Sequence, residues 1–182
     1  MFVNKTKYFD AAIPVEAPIV GTVGLLAGTR VETAAGWRDV AELCCGDLLF
    51  TMDGGCRPLH DIRIAHGGDD AVRVPAGVLG ADADTYLAPD QLVLVETGWA
   101  IDWLGTPVAL ARAGDLVGVM GIRRKAAPTR HLRMPVFAEE EILFAASGLR
   151  LFTPGGLAPS TPEYFVLLDR EEAAEVLRMG PQ

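Results

Sequence analysis

The chain has 182 residues and a formal net charge of −8. An acidic surface repels phosphate backbones, which excludes nucleic acid as the expected partner. Half of the residues are apolar, enough for a packed core and too many for a disordered chain, yet no apolar run is long enough to span a membrane. Three cysteines, Cys44, Cys45 and Cys56, are an odd number at spacings that match no zinc finger or ribbon. Reduced thiols in a cytoplasmic protein are the expectation.

In chain order, residues 1–23 read as an arm, apolar after its first lysines but broken by Pro14 and Pro18. They make a poor signal peptide. "TRVETA" alternates as a strand does. "GWRDVAELCCGD" reads as a short strand and a tight turn at Gly46-Asp47. "LLFTMDGG" is a strand entering a turn at Asp53-Gly54. "RPLHDIRIAHGGDD" reads as one long strand, and "AVRVPAGVLG" as a strand broken by Pro75 and Gly77. "TYLAPDQLVLVETG" holds two strands around Pro89-Asp90. Short strands are expected to continue from Trp99 to Met120, with a corner at Gly114-Asp115. "AAPTRHLRMP" is a loop feeding a strand, and "EEEILFAASGLRLFTPGG" holds two strands joined near Ser147-Gly148. The three glutamates suggest solubility. Only "DREEAAEVLRM" is clearly helical, with Gly180 as its stop. The organisation expected is an arm, 1–23, and one domain, 24–182.

Two stretches echo each other. Val31 and Val95 each open Val-Glu-Thr. Gly-Trp, Val-Ala and Gly-Asp-Leu follow in the same order in both. The offset between copies is not constant, so this is no fixed-period solenoid. A duplicated β lobe is the reading, each copy turning a corner at Gly-Asp, where aspartate bonds local backbone.

"GTRVETAAGWRDVAELCCGDLLFTMDGGCRPL" resembles the opening of the Hint domain, shared by hedgehog autoprocessing domains and inteins, and most of all its bacterial group. "AVRVPAGVLG", "YLAPDQLVLV", "VALARAGDLVGVMGIRR" and "YFVLLDRE" keep step with it, so the resemblance runs from about Gly24 to Glu171. It implies an all-β horseshoe of two lobes related by a pseudo-two-fold axis, with a short C-terminal helix.

The resemblance also implies where chemistry belongs. Hint domains convert a peptide bond to an ester or thioester. This needs a nucleophile, a proton for the leaving nitrogen and a polarised carbonyl. The family's nucleophile lies four residues before the glycine of Gly-Thr, and that position here is Gly24, which has no side chain. No cysteine or serine occurs in residues 1–43, and only Thr22 and Thr29 flank the position. The family's Thr-x-x-His segment corresponds to "APDQ", with Ala88 for the hydroxyl residue and Gln91 for histidine. Gln can donate a hydrogen bond but is no general acid. The later Asp-Arg-His of the bacterial group becomes Asp169-Arg170-Glu171. Gly24, Ala88, Gln91 and Glu171 are thus degenerate positions lining a presumed cleft, and no catalytic residue is assigned.

Other candidates read blandly. His60, His66 and His131 are expected to be solvent-facing or half-buried histidines rather than catalysts. His66, Asp69 and Asp70 could bind a metal, but no further ligand stands at diagnostic spacing, so no metal is expected. Arg123, Arg124, Lys125, Arg130 and Arg133 read as a solvated basic face. No nucleotide fingerprint occurs, so no cofactor is expected. The leading expectation is a binding or structural module that has lost self-cleavage, with a peptide or protein segment as its partner. An autoprocessing domain with an unrecognised nucleophile and a phage-tail-like assembly component are the alternatives.

Overall fold

The computed structural model describes residues 23–156, 162 and 164–180. The expected arm, except for Val23, and the candidate Thr22 lie outside the described residues. The strands are β1 (Leu25–Leu26), β2 (Arg30–Thr33), β3 (Gly36–Asp39), β4 (Leu48–Thr51), β5 (Gly55–Pro58), β6 (Asp61–His66) and β7 (Asp70–Val74). They continue as β8 (Thr85–Leu87), β9 (Leu92–Glu96), β10 (Val108–Arg112), β11 (Arg123–Ala126), β12 (His131–Val136), β13 (Glu141–Ala145) and β14 (Leu149–Thr153). Helix α1 is Ile101–Leu104 and α2 is Arg170–Met179, and 3-10 turns occupy Val40–Glu42 and Gly98–Ala100. No described helix is long and apolar enough to cross a membrane.

The strands form two antiparallel sheets. The six-stranded sheet runs β11-β7-β8-β1-β12-β6, and the eight-stranded sheet runs β10-β9-β14-β13-β2-β4-β5, with β3 paired to β2. The core lies between them: Val72 and Leu87 from the first sheet meet Val31, Val93, Leu143 and Leu151 from the second in one buried cluster. The expected all-β architecture with one C-terminal helix is what the chain adopts.

The expected long strand at "RPLHDIRIAH" is two strands in different sheets. Pro58 ends β5, having no amide hydrogen to carry the ladder further. Leu59, fully buried, donates its amide to Asp47 of the eight-stranded sheet's corner. His60 already donates to Val136 on β12. The chain changes sheets within two residues, and a buried leucine anchors the change.

Gly98–Leu104 is helical rather than a strand. Trp99 donates its indole N–H to the carbonyl of Val176 on α2 at 2.9 Å, so this segment curls to dock the helix. Gly180 is needed at that contact, because a Cβ there would lie 2.6 Å from the Trp99 ring. The two echoing stretches therefore fold differently. Gly36-Trp37 opens β3, whereas Gly98-Trp99 sits in a 3-10 turn. Gly46-Asp47 does lead into β4, with the Asp47 carboxylate accepting from the Cys44 amide (2.8 Å) and Arg38 (2.9 Å). Gly114-Asp115 instead begins a run of turns, and β11 starts only at Arg123. The Asp53-Gly54 turn is as expected, the Gly54 amide donating to the Thr51 hydroxyl at 3.2 Å. Glu141 is not a solubility residue. It is buried and ion-paired to Arg57 at 3.3 Å.

Helix α2 starts where the sequence places it. The Asp169 carboxylate accepts from the amides of Glu171 (2.8 Å) and Glu172 (2.9 Å), while Glu172 reaches back to the Asp169 amide (2.9 Å). This is a reciprocal capping box. Asp169→Ala is expected to cost about 1 kcal/mol in urea unfolding, and Asp169→Asn much less.

Candidate functional site

Gly24 and Gln91, 67 residues apart, meet in the interior. The Gly24 amide donates to Oε1 of Gln91 at 3.3 Å. Two segments bring them there. β1 follows Gly24 directly and is held between β8 and β12, with Leu25 opposite Leu87 on one side and Arg133 on the other. The Ala88–Gln91 turn joins β8 to β9 and is closed by the Gln91 amide on the Ala88 carbonyl at 3.0 Å. Pro89 suits the second position of such a turn because its φ is preset. Gly114 and Ala113 latch onto the same turn, donating to the carbonyls of Pro89 (2.8 Å) and Gln91 (2.9 Å). A Cβ on Gly114 would approach the Pro89 oxygen to 3.1 Å, which explains a glycine at this corner.

The Gln91 side chain is 1% exposed and fully bonded. Its amide nitrogen donates to the carbonyls of Leu92 (3.0 Å) and Phe152 (2.9 Å). Those two acceptors fix its orientation, since a flipped amide would set its oxygen against both carbonyls and its NH2 against the Gly24 N–H. What faces the Gly24 nitrogen is therefore an acceptor with no proton to give. Because Phe152 is on β14 and Gly24 enters β1, this one side chain ties the two sheets together.

Gly24 itself has φ +142°, a conformation side-chain-bearing residues rarely adopt. A Cβ there would lie 3.3 Å from the Leu132 Cβ and 3.4 Å from the Arg133 carbonyl oxygen. Ala88 is buried in a small apolar cluster with Leu26, Ala71 and Leu132, so the side of the site where the family pattern has a hydroxyl is dry. Glu171 is exposed in the first turn of α2, and among the described hydrogen bonds and ion pairs none links it to Gly24 or Gln91. The structure thus brings Gly24, Ala88 and Gln91 together and leaves Glu171 on the helix.

Beside this site, beyond the other end of β1, a cleft of about 280 Å³ is walled by Leu26–Arg30, Asp82–Tyr86, Pro128 and Ala146. Asp84 is held below the ordinary carboxylate pKa by its hydrogen bond from Arg73, aided by the Ala76 amide. Asp82 accepts from the Ser147 hydroxyl at 2.5 Å. Thr29 is buried, its amide donating to Leu26 at 3.0 Å. Asp39 braces the mouth, accepting from the amides of Gly28 (3.0 Å) and Ala41 (2.8 Å). Sequence reading did not single out Asp39 or the Phe152 carbonyl. Asp39 precedes an apolar 3-10 turn as N-caps do, a signal that was present. A backbone acceptor 61 residues from its donor leaves no trace in sequence.

The remaining candidates are dispersed. Cys44, Cys45 and Cys56 are free and exposed. Asp69 and Asp70 are ion-paired with Arg130 and Arg124, so two arginines of the basic face are already engaged. No group of three or more His, Cys, Asp or Glu able to hold a metal occurs among the described residues.

A family model described as the Hint domain matches residues 23–150, and the chain belongs to the Hint domain family. Among solved structures it is similar to the intein-like domain of Clostridium thermocellum. Identity is 10%, over 72% of this chain and 98% of that one, with a TM-score of 0.55. It is also similar to the gp41-1 intein, at 12% identity over 72% of this chain and 98% of that one, with a TM-score of 0.49. No curated protein matches.

Proposed function

We propose that this Hint domain no longer breaks its own backbone and serves as a binding or structural module. The observation that supports this reading is the environment of the Gly24 amide. An acyl shift at Val23–Gly24 needs a nucleophile on residue 24 and a proton donor at its nitrogen. Gly24 offers no nucleophile, and Gln91 presents a carbonyl oxygen to the N–H. The neighbouring cleft is the binding surface in this reading. Its apolar lining of Leu26, Ala27, Pro128 and Ala146 suits a peptide segment with an apolar side chain, since Asp82 and Asp84 beside it are already engaged by Ser147 and Arg73.

The test is intact mass of the chain carrying a folded N-terminal fusion, incubated with and without dithiothreitol. The expected result is one unchanged mass. Loss of the fusion at Val23–Gly24 would restore self-cleavage as the function and overturn the proposal.

A further inference from the structure

The strand register creates a pair that the sequence separates. His131 on β12 lies directly opposite His66 on β6, both exposed. Directly opposed side chains in an antiparallel pair share one face, and here the imidazole centroids are 5.6 Å apart with the rings tilted by 55°. We propose that His66 and His131 form a two-histidine chelate for a zinc-like divalent cation.

The geometry suits one ion between the rings. Imidazole binds zinc at about 2.0–2.1 Å, so two rings on a tetrahedral ion set their centroids about 5 Å apart. A small rotation about the side-chain bonds closes the remaining difference. Imidazole favours borderline metals such as zinc over magnesium or calcium. The Thr129 hydroxyl lies 3.4 Å from Nδ1 of His131. It can accept a hydrogen bond from Nδ1–H and leave the Nε2 lone pair for the metal. Water completes the coordination.

The charged groups around the pair are Arg133, two residues along β12 on the same face, and the Asp69–Arg130 ion pair beyond the strand ends. Asp69 and Asp70, next to His66 in sequence, are both held by arginines, so the second ligand comes from across the sheet. Bound metal would staple β6, the edge strand of the six-stranded sheet, onto β12. The proposal stands independently of whether the domain cleaves itself.

The experiment is calorimetric titration of Zn²⁺ into the full chain carrying Cys44→Ser, Cys45→Ser and Cys56→Ser, because exposed thiols also bind zinc. One equivalent should bind at about pH 7.5. His66→Asn and His131→Asn should each weaken it about tenfold or more, a loss of about 1.4 kcal/mol at least. Imidazole NMR on the parent gives a readout that needs no variant: zinc should shift His66 and His131 and leave His60 in place. Absence of binding in the parent, affinity in both variants unchanged from the parent's, or a shift at His60 alone would overturn the proposal.

Discussion

Gln91→Leu is expected to lower the stability of the domain by about 3–5 kcal/mol, read as a fall in the urea midpoint at unchanged slope. The substitution nearly conserves volume, so cavity formation contributes little. What it removes is a three-way tie: the Gly24 N–H and the carbonyls of Leu92 and Phe152 all lose this partner. Leaving a buried polar group unsatisfied costs about 1–3 kcal/mol. Gln91→His separates the parts. An imidazole can accept from Gly24 and donate once more, so it should lose roughly half as much as leucine. A leucine variant as stable as the parent would mean that Gln91 does not join the sheets.

Gly24→Cys is expected to cost about 1–3 kcal/mol and to leave the chain uncleaved, even combined with Gln91→His. The strain has two sources. The φ of +142° is costly for a residue with a Cβ, and that Cβ would press on Leu132 and on the Arg133 carbonyl. A thiol at this position therefore arrives on a backbone that is not shaped to carry it. Urea unfolding measures the first effect, and intact mass of a fusion in dithiothreitol measures the second. Cleavage by the double variant would show that side chains alone had been lost and that the backbone was still competent. Gly24→Ala should reproduce the stability loss without adding any chemistry.

Both variants bear on why the site was legible only in part. The family pattern pointed to Gly24, Ala88 and Gln91, and the fold joins Gly24 to Gln91 by a hydrogen bond and sets Ala88 in the same turn as Gln91. Nothing in the linear pattern says that Gln91 bonds Phe152, because a side chain's long-range acceptor depends on which strands lie beside it. The histidine pair shows the same limit. His66 reads most naturally with Asp69 and Asp70, its neighbours in sequence, yet β-sheet register sets it against His131.

What the sequence by itself determined was local and periodic. Short apolar runs such as "TRVETA" and "LLFT" marked strands, Gly-Asp, Asp-Gly and Pro-Asp pairs marked turns, and the spacing of "DREEAAEVLRM" marked α2. Each of these follows from the conformational preferences of a few consecutive residues. The tertiary structure decided what depends on partners. "RPLHDIRIAH" became two strands because Leu59 had a core to enter and His60 had Val136 to meet. Gly98–Leu104 became helical because Trp99 had Val176 to bond, while its echo at Trp37 stayed in a hairpin with β2. The same residue types folded differently because burial and hydrogen bonding to distant strands outweighed their shared local preference.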